Sequence, residues 1–138
     1  MTLLSWNCRG LGQPRTVHEL VQLVHTHKPK LVFISETRQS SERVNNLRWR
    51  LGLKHCIVQP GSGKGAGIAL FYDESVEIKE LGVGPRYIDV LIRLCPNGVQ
   101  WRGTFVYGEP KTHERHHMWE LLRRIRNNAA EPWLMIGD

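Results

Sequence analysis

Apolar residues along the chain follow two rhythms. Thr2 to Trp6 and Leu31-Val32-Phe33-Ile34 are short continuous apolar runs of the kind that form buried strands. Between them Val17, Leu20, Val21 and Val24 recur at helical spacing from Arg15 to about His27, with Pro14 suited to a first helical turn. A second helix is expected after Ser40 or Ser41, which can cap it, with Val44, Leu47 and Leu51 facing inward and Gly52 just past its end.

The middle of the chain reads as sheet. Strands are expected at Cys56 to Val58, Ile68 to Tyr72, Val76 to Leu81, Tyr87 to Leu94 and Val99 to Tyr107, with Pro96-Asn97-Gly98 as a hairpin signal between the last two. Ile88, Val90, Ile92 and Leu94 alternate onto one face. A third helix is expected from about His113 to Asn127 with Trp119, Leu122 and Ile125 as its buried stripe, followed by a strand at Trp133 to Ile136. Without repeats or low-complexity linkers, the pattern predicts one mixed α/β domain over residues 1–138.

Composition narrows the class. With 41% hydrophobic and 23% charged residues in 138, the chain suits one folded domain, and no apolar run reaches the ~18 residues of a membrane span. Cys8, Cys56 and Cys95 are odd in number and widely spaced, which favours neither a disulfide framework nor a thiolate zinc site and fits a reducing, intracellular setting. Nineteen Lys and Arg against thirteen Asp and Glu give a formal charge of +6, which favours a polyanionic partner such as nucleic acid.

Four polar residues stand at the carboxyl ends of the predicted strands: Asn7, Glu36, Tyr107 and Asp138. Each alone has an ordinary reading as a turn residue, a solvated strand end, an aromatic at a boundary and a chain end. Should the strands be neighbours, all four converge on one rim, where a carboxylate beside an amide offers hard oxygen ligands for Mg²⁺.

Read in order, Leu4-Ser5-Trp6-Asn7-Cys8-Arg9-Gly10-Leu11, Phe33-Ile34-Ser35-Glu36-Thr37-Arg38, Phe105-Val106-Tyr107-Gly108 and Ile136-Gly137-Asp138 resemble the endonuclease/exonuclease/phosphatase superfamily. That group includes exonuclease III, abasic-site endonucleases, deoxyribonuclease I and the endonuclease domains of non-LTR retrotransposons. The opening through Gly12 and the run Tyr107-Gly108-Glu109-Pro110 are most similar to plant LINE-type endonuclease domains. The resemblance implies a deoxyribonuclease-I-like four-layer α/β sandwich and a Mg²⁺-dependent, or Mn²⁺-supported, phosphodiester hydrolase that nicks DNA. It further implies a nuclear location and a reverse transcriptase domain as partner in an intact element.

By the same resemblance Glu36 and Asn7 belong to the metal site, Tyr107 bonds the scissile phosphate, and Asp138 orients the attacking water or assists the leaving group. Arg38 stands where relatives often carry Lys. Arg9 replaces an Asn or Asp that relatives carry two positions after the Asn7 equivalent, and its charge suits a DNA phosphate. Lys64 and Arg115 are further candidates for phosphate or DNA contact. The family pattern continues beyond Gly-Asp to an Asn, a later Asp and a closing Ser-Asp-His, so the match covers roughly the first half of a family domain. One sheet plus the start of a second is therefore expected, with one inner sheet face uncovered, poor solubility and little turnover.

Three other readings compete. His113-Glu114-Arg115-His116-His117 satisfies His-Glu-x-x-His, a zinc peptidase signature when both imidazoles share a helix face, though Pro110-Lys111-Thr112 puts the motif in a first, exposed turn. Gly61 to Gly67 suggests a nucleotide loop, but Lys64 is not followed by Ser or Thr and a strand comes next. A noncatalytic nucleic-acid-binding remnant would use Arg123, Arg124, Arg126 and the basic loops as an electrostatic surface.

Overall fold

A computed structural model describes residues 1–61, 66–108, 111–128 and 130–138. The elements run β1 (Leu3–Asn7), α1 (Pro14–His27), β2 (Leu31–Ser35), α2 (Ser41–Leu51), β3 (His55–Gln59), β4 (Ile68–Tyr72), β5 (Val76–Gly84), β6 (Tyr87–Leu94), β7 (Trp101–Val106), α3 (Arg115–Asn127) and β8 (Trp133–Gly137). Two four-stranded sheets result, ordered β1-β2-β4-β3 and β5-β6-β7-β8. The pairs β1–β2 and β7–β8 are parallel and the others antiparallel.

The alternation within each strand explains the layers. Val32, Ile34, Ala69 and Phe71 point from the first sheet toward Leu20 and Val24 of α1 and Val44 and Leu51 of α2. The residues between them, Leu31, Phe33, Ile68 and Leu70, point the other way and meet Ile88, Val90, Ile92 and Phe105 of the second sheet. Phe33 and Phe105 lie with ring centroids 5.4 Å apart at this interface. Because β2 has packed neighbours on both faces, its five residues are all buried, which is why it reads as an unbroken apolar run. On the far side of the second sheet, α3 packs Leu122 and Ile125 onto Val106. The order of layers is helix, sheet, sheet, helix.

Local signals operate as expected in the first half. The Ser40 hydroxyl accepts from the Arg43 amide at 3.3 Å to cap α2, and Gly52 ends that helix in the left-handed region at φ +71°. Three expectations need correction. The inner face of the first sheet is covered, because four strands pair into the second sheet and β8 joins by a parallel, long-range register (Arg102↔Trp133 through Val106↔Gly137). The third helix begins at Arg115 after a 3₁₀ turn at Thr112–Glu114. Its buried stripe runs through Met118, Leu121, Leu122 and Ile125, while Trp119 is 55% exposed, since one residue past Met118 turns it about 100° off that stripe.

A buried polar cluster ties β6, β7 and β8 together. Arg102 makes two bonds to Asp89, from Nε at 3.0 Å and from Nη2 at 2.5 Å. Thr104 Oγ1 donates to Asp89 at 2.9 Å and accepts from the Trp133 indole at 2.8 Å. These bonds help hold the register of β8, and hence the position at which Asp138 emerges.

Candidate active site

Asn7, Glu36, Tyr107 and Asp138 do meet at one rim, and the contacts cross between the sheets. Register places Asn7 opposite Ser35, so Glu36 emerges immediately beyond the β1 end. Glu36 and Arg38 both take left-handed backbone angles, φ +57° and +51°, in a segment pinned from two sides. Gly10 and Leu11 amides donate to the Glu36 and Thr37 carbonyls at 2.7 and 3.0 Å, and the Thr37 and Arg38 amides donate to Gly67 and Ala66 at 3.1 and 3.0 Å. Left-handed angles are costly for residues with side chains and persist where surroundings over-determine them, which is common at functional sites.

The Tyr107 hydroxyl donates to Glu36 Oε1 at 2.9 Å, and Arg38 Nη2 stands 3.6 Å from the same oxygen. Burial first, and then the bond to Glu36, push the Tyr107 phenol above its ordinary value. Asn7 Nδ2 donates to Asp138 Oδ2 at 2.5 Å, while Asn7 Oδ1 accepts from the Arg9 amide at 3.0 Å. The main chain closes the ring: the Asp138 amide donates to Val106 O at 3.0 Å and the Gly108 amide to Asp138 O at 2.5 Å. Cys8, buried behind the rim with its thiol directed at the Ser35 carbonyl, is pushed up to about 11 by desolvation and supplies no nucleophile at neutral pH.

A cleft of about 820 Å³ opens beside this rim, lined among others by Asn7, Arg9, Arg38 and Asp138. A second of about 570 Å³ is lined by Tyr107, Arg115, Trp119, Met135 and Asp138, among others. Arg115 thus borders the same rim from α3. Arg9 is exposed, and its carbonyl accepts from Arg38 Nη1 at 3.5 Å. Lys64, and with it the nucleotide-loop reading, lies outside the described residues. The zinc-peptidase arrangement is not formed: His113 lies on the 3₁₀ turn, His117 on α3, and Glu114 pairs with His113 at 3.6 Å. Among the described residues no group of three or more His, Cys, Asp or Glu is placed to hold a metal ion. Glu36 and Asn7 offer the hard-oxygen set open to a cation that retains several waters, one carboxylate and one amide oxygen at adjacent strand ends.

The family model for the endonuclease/exonuclease/phosphatase family matches residues 4–138, nearly the whole chain. The chain belongs to that family. Among solved structures, the human Nocturnin catalytic domain with bound sulfate matches with a TM-score of 0.70 at 16% identity, over 99% of this chain and 63% of that one. The endonuclease domain of TRAS1, a telomere-specific non-LTR retrotransposon, matches with a TM-score of 0.66 at 15% identity, over 99% and 58%. TDP2 of D. rerio, complexed with a single-strand DNA product, matches with a TM-score of 0.69 at 17% identity, over 99% and 59%. The chain therefore spans about 60% of the length of these structures. No curated protein matches it. The family and the neighbours make this a fold of hydrolytic nucleases and phosphatases. No helix among the described residues is long and apolar enough to cross a membrane.

One contributor escaped the sequence reading. Arg86, in the turn between β5 and β6, stacks its guanidinium over the Tyr107 ring with its central carbon 5.0 Å from the centroid. It also donates through Nη1 to the Gly108 carbonyl at 2.9 Å. Nothing in local periodicity marks it; the signal is that Gly84-Pro85-Arg86 forms the turn at the same sheet end as Tyr107.

Proposed function

We propose that this rim is the site of a Mg²⁺-dependent phosphodiester hydrolase acting on DNA, in the setting of a retroelement endonuclease. The observation that carries the reading is the pair of cross-sheet contacts, Tyr107 to Glu36 and Asn7 to Asp138, which bring a carboxylate, a phenol, an amide and a second carboxylate to one rim. The Trp6 to Gly12 opening favours the retroelement setting, and the fold, shared with the TRAS1 endonuclease among others, is compatible with it. A reverse transcriptase is the partner expected there.

Glu36, with the Asn7 amide oxygen, is the group to hold Mg²⁺ or Mn²⁺; such an ion supplies Lewis-acid polarisation of a phosphoryl oxygen. The Tyr107 hydroxyl, released from Glu36, donates to a non-bridging oxygen of the scissile phosphate. Arg38 and Arg9 add fixed positive charge at the cleft wall, where charge builds as the phosphorus is attacked. Asp138 takes up the proton that the attacking water loses and can pass it to the leaving oxygen, and Asn7 Nδ2 fixes its carboxylate in place. Among the described residues no imidazole lines the cleft beside Asn7 and Asp138 to act as general base, so slow turnover is proposed.

Supercoiled plasmid incubated with the chain and Mg²⁺, against EDTA and against Glu36→Gln, tests this. Slow nicking that needs both the ion and Glu36 supports the reading. Nicking unaffected by Glu36→Gln contradicts the site, and fast nicking contradicts the proposed slow turnover. Salt-sensitive DNA retention with no cleavage by any variant favours a noncatalytic binding role.

A further inference from the structure

We propose that Arg86 is the positioning residue of this site, holding the Tyr107 ring and the Gly108 backbone so that the phenol reaches Glu36 and the Gly108 amide reaches Asp138. The proposal builds on the reading of Tyr107 as the phosphate-facing phenol. Three contacts from one residue converge on two consecutive ones. The guanidinium carbon lies 5.0 Å from the Tyr107 centroid, Nη1 donates to Gly108 O at 2.9 Å, and the Arg86 carbonyl accepts from the Tyr107 amide at 2.8 Å. Gly108, held at its carbonyl by Arg86, faces the other half of the site with its amide, which donates to Asp138 O at 2.5 Å.

The chemistry asks for arginine in particular. A planar guanidinium can lie on a ring while donating in its own plane to a carbonyl beside the ring; an ammonium offers a point charge and no such plane. Tyr107 follows the last residue of β7, and its ring projects beyond the strand end. Arg86 holds it from the opposite strand pair, through a turn whose Gly84 lies directly against the Tyr87 ring. Arg86 reaches the reacting groups through Tyr107 and is therefore placed as a positioning rather than a catalytic residue.

The chain has three tyrosines, Tyr72, Tyr87 and Tyr107, so ¹³Cζ-tyrosine labelling resolves the phenol directly, with Tyr107→Phe giving the assignment. Arg86→Gln is expected to shift the Tyr107 ring signals at pH 7 and to weaken the NOEs from the Tyr107 ring to the Glu36 side chain, while the Tyr72 signal, reporting on the fold, stays in place. Arg86→Lys, which keeps charge without the plane, is expected to restore the ring signals and those NOEs only in part. Unchanged Tyr107–Glu36 NOEs in Arg86→Gln, or wild-type ring signals in Arg86→Lys, overturn the proposal. Should Arg86→Gln lose the folded Tyr72 signal, the Arg86→Lys ring signals decide. Plasmid nicking by the unsubstituted chain is scored separately: its absence removes the hydrolase reading and leaves the tyrosine result standing.

Discussion

The Tyr107 hydroxyl donates to Glu36 Oε1 across 2.9 Å, joining residues 71 positions apart that sit on different sheets of the sandwich. Neither residue is placed by its neighbours in sequence; the sheet-on-sheet packing that sets Phe33 against Phe105, three and two residues earlier, puts them together. Tyr107→Phe keeps that packing and removes the donor. It is expected to lower the nicking rate about 10²-fold or more with a nearly unchanged melting temperature, checked by nicking kinetics alongside thermal denaturation.

Gly67 supports the site from behind. It holds φ +109°, and a Cβ there would overlap the hydroxyl of Thr37, a fully buried side chain next to Glu36. Gly67→Ala is expected to cost about 1–3 kcal/mol in urea denaturation and to shift the backbone amide signals of Glu36 through Arg38.

The pair Arg102 and Asp89 is almost fully buried, with side chains 8% and 4% exposed. Arg102→Met leaves an uncompensated carboxylate and is expected to destabilise by about 3–5 kcal/mol, whereas replacing both partners with apolar residues is expected to recover most of that loss. Calorimetry of the single and double variants checks it. A double variant as unstable as the single one would place the penalty in lost packing.

Asp73 is held at about 2 in the folded chain, against an ordinary 3.8, chiefly by the Ser75 hydroxyl, with the Ser75 amide and Lys30 adding to it. A carboxyl depressed by folding binds protons more readily when unfolded, so its contribution is present above the unfolded value and is lost as pH falls from about 3.8 toward 2. Asp73→Asn is expected to flatten that part of the acid unfolding curve and to leave its slope above pH 5 unchanged.

Thiol reactivity should follow burial. Desolvation pushes Cys8 up to about 11 and Cys56 to about 12, whereas Cys95 is exposed. An aromatic disulfide reagent at pH 8 is expected to titrate one thiol rapidly, Cys95, and the other two only after denaturant is added.

Much of this was legible in the chain. Leu31 to Ile34 announces a strand buried on both faces, and the rim residues stand at strand ends because apolar runs stop there. The four-strand pairing of the second sheet was not legible, since the parallel pairing of β8 with β7 bridges about thirty residues and leaves no local trace. Trp119 was misplaced for a simpler reason: size and apolarity favour burial, but its angular position on α3 does not. Arg86 leaves no periodic mark; its one signal is a turn at the sheet end that carries Tyr107, and the contact forms only when folding lays that ring beneath it.

The measurement that bears most directly on the central claim is paramagnetic broadening of the chain's NMR signals by substoichiometric Mn²⁺. Broadening is predicted to centre on Glu36 and Asn7, to extend to Tyr107 and Asp138, and to vanish in Glu36→Gln. Broadening centred instead on His113 and His117, or on the Asp73 turn, or a pattern unchanged by Glu36→Gln, would contradict it.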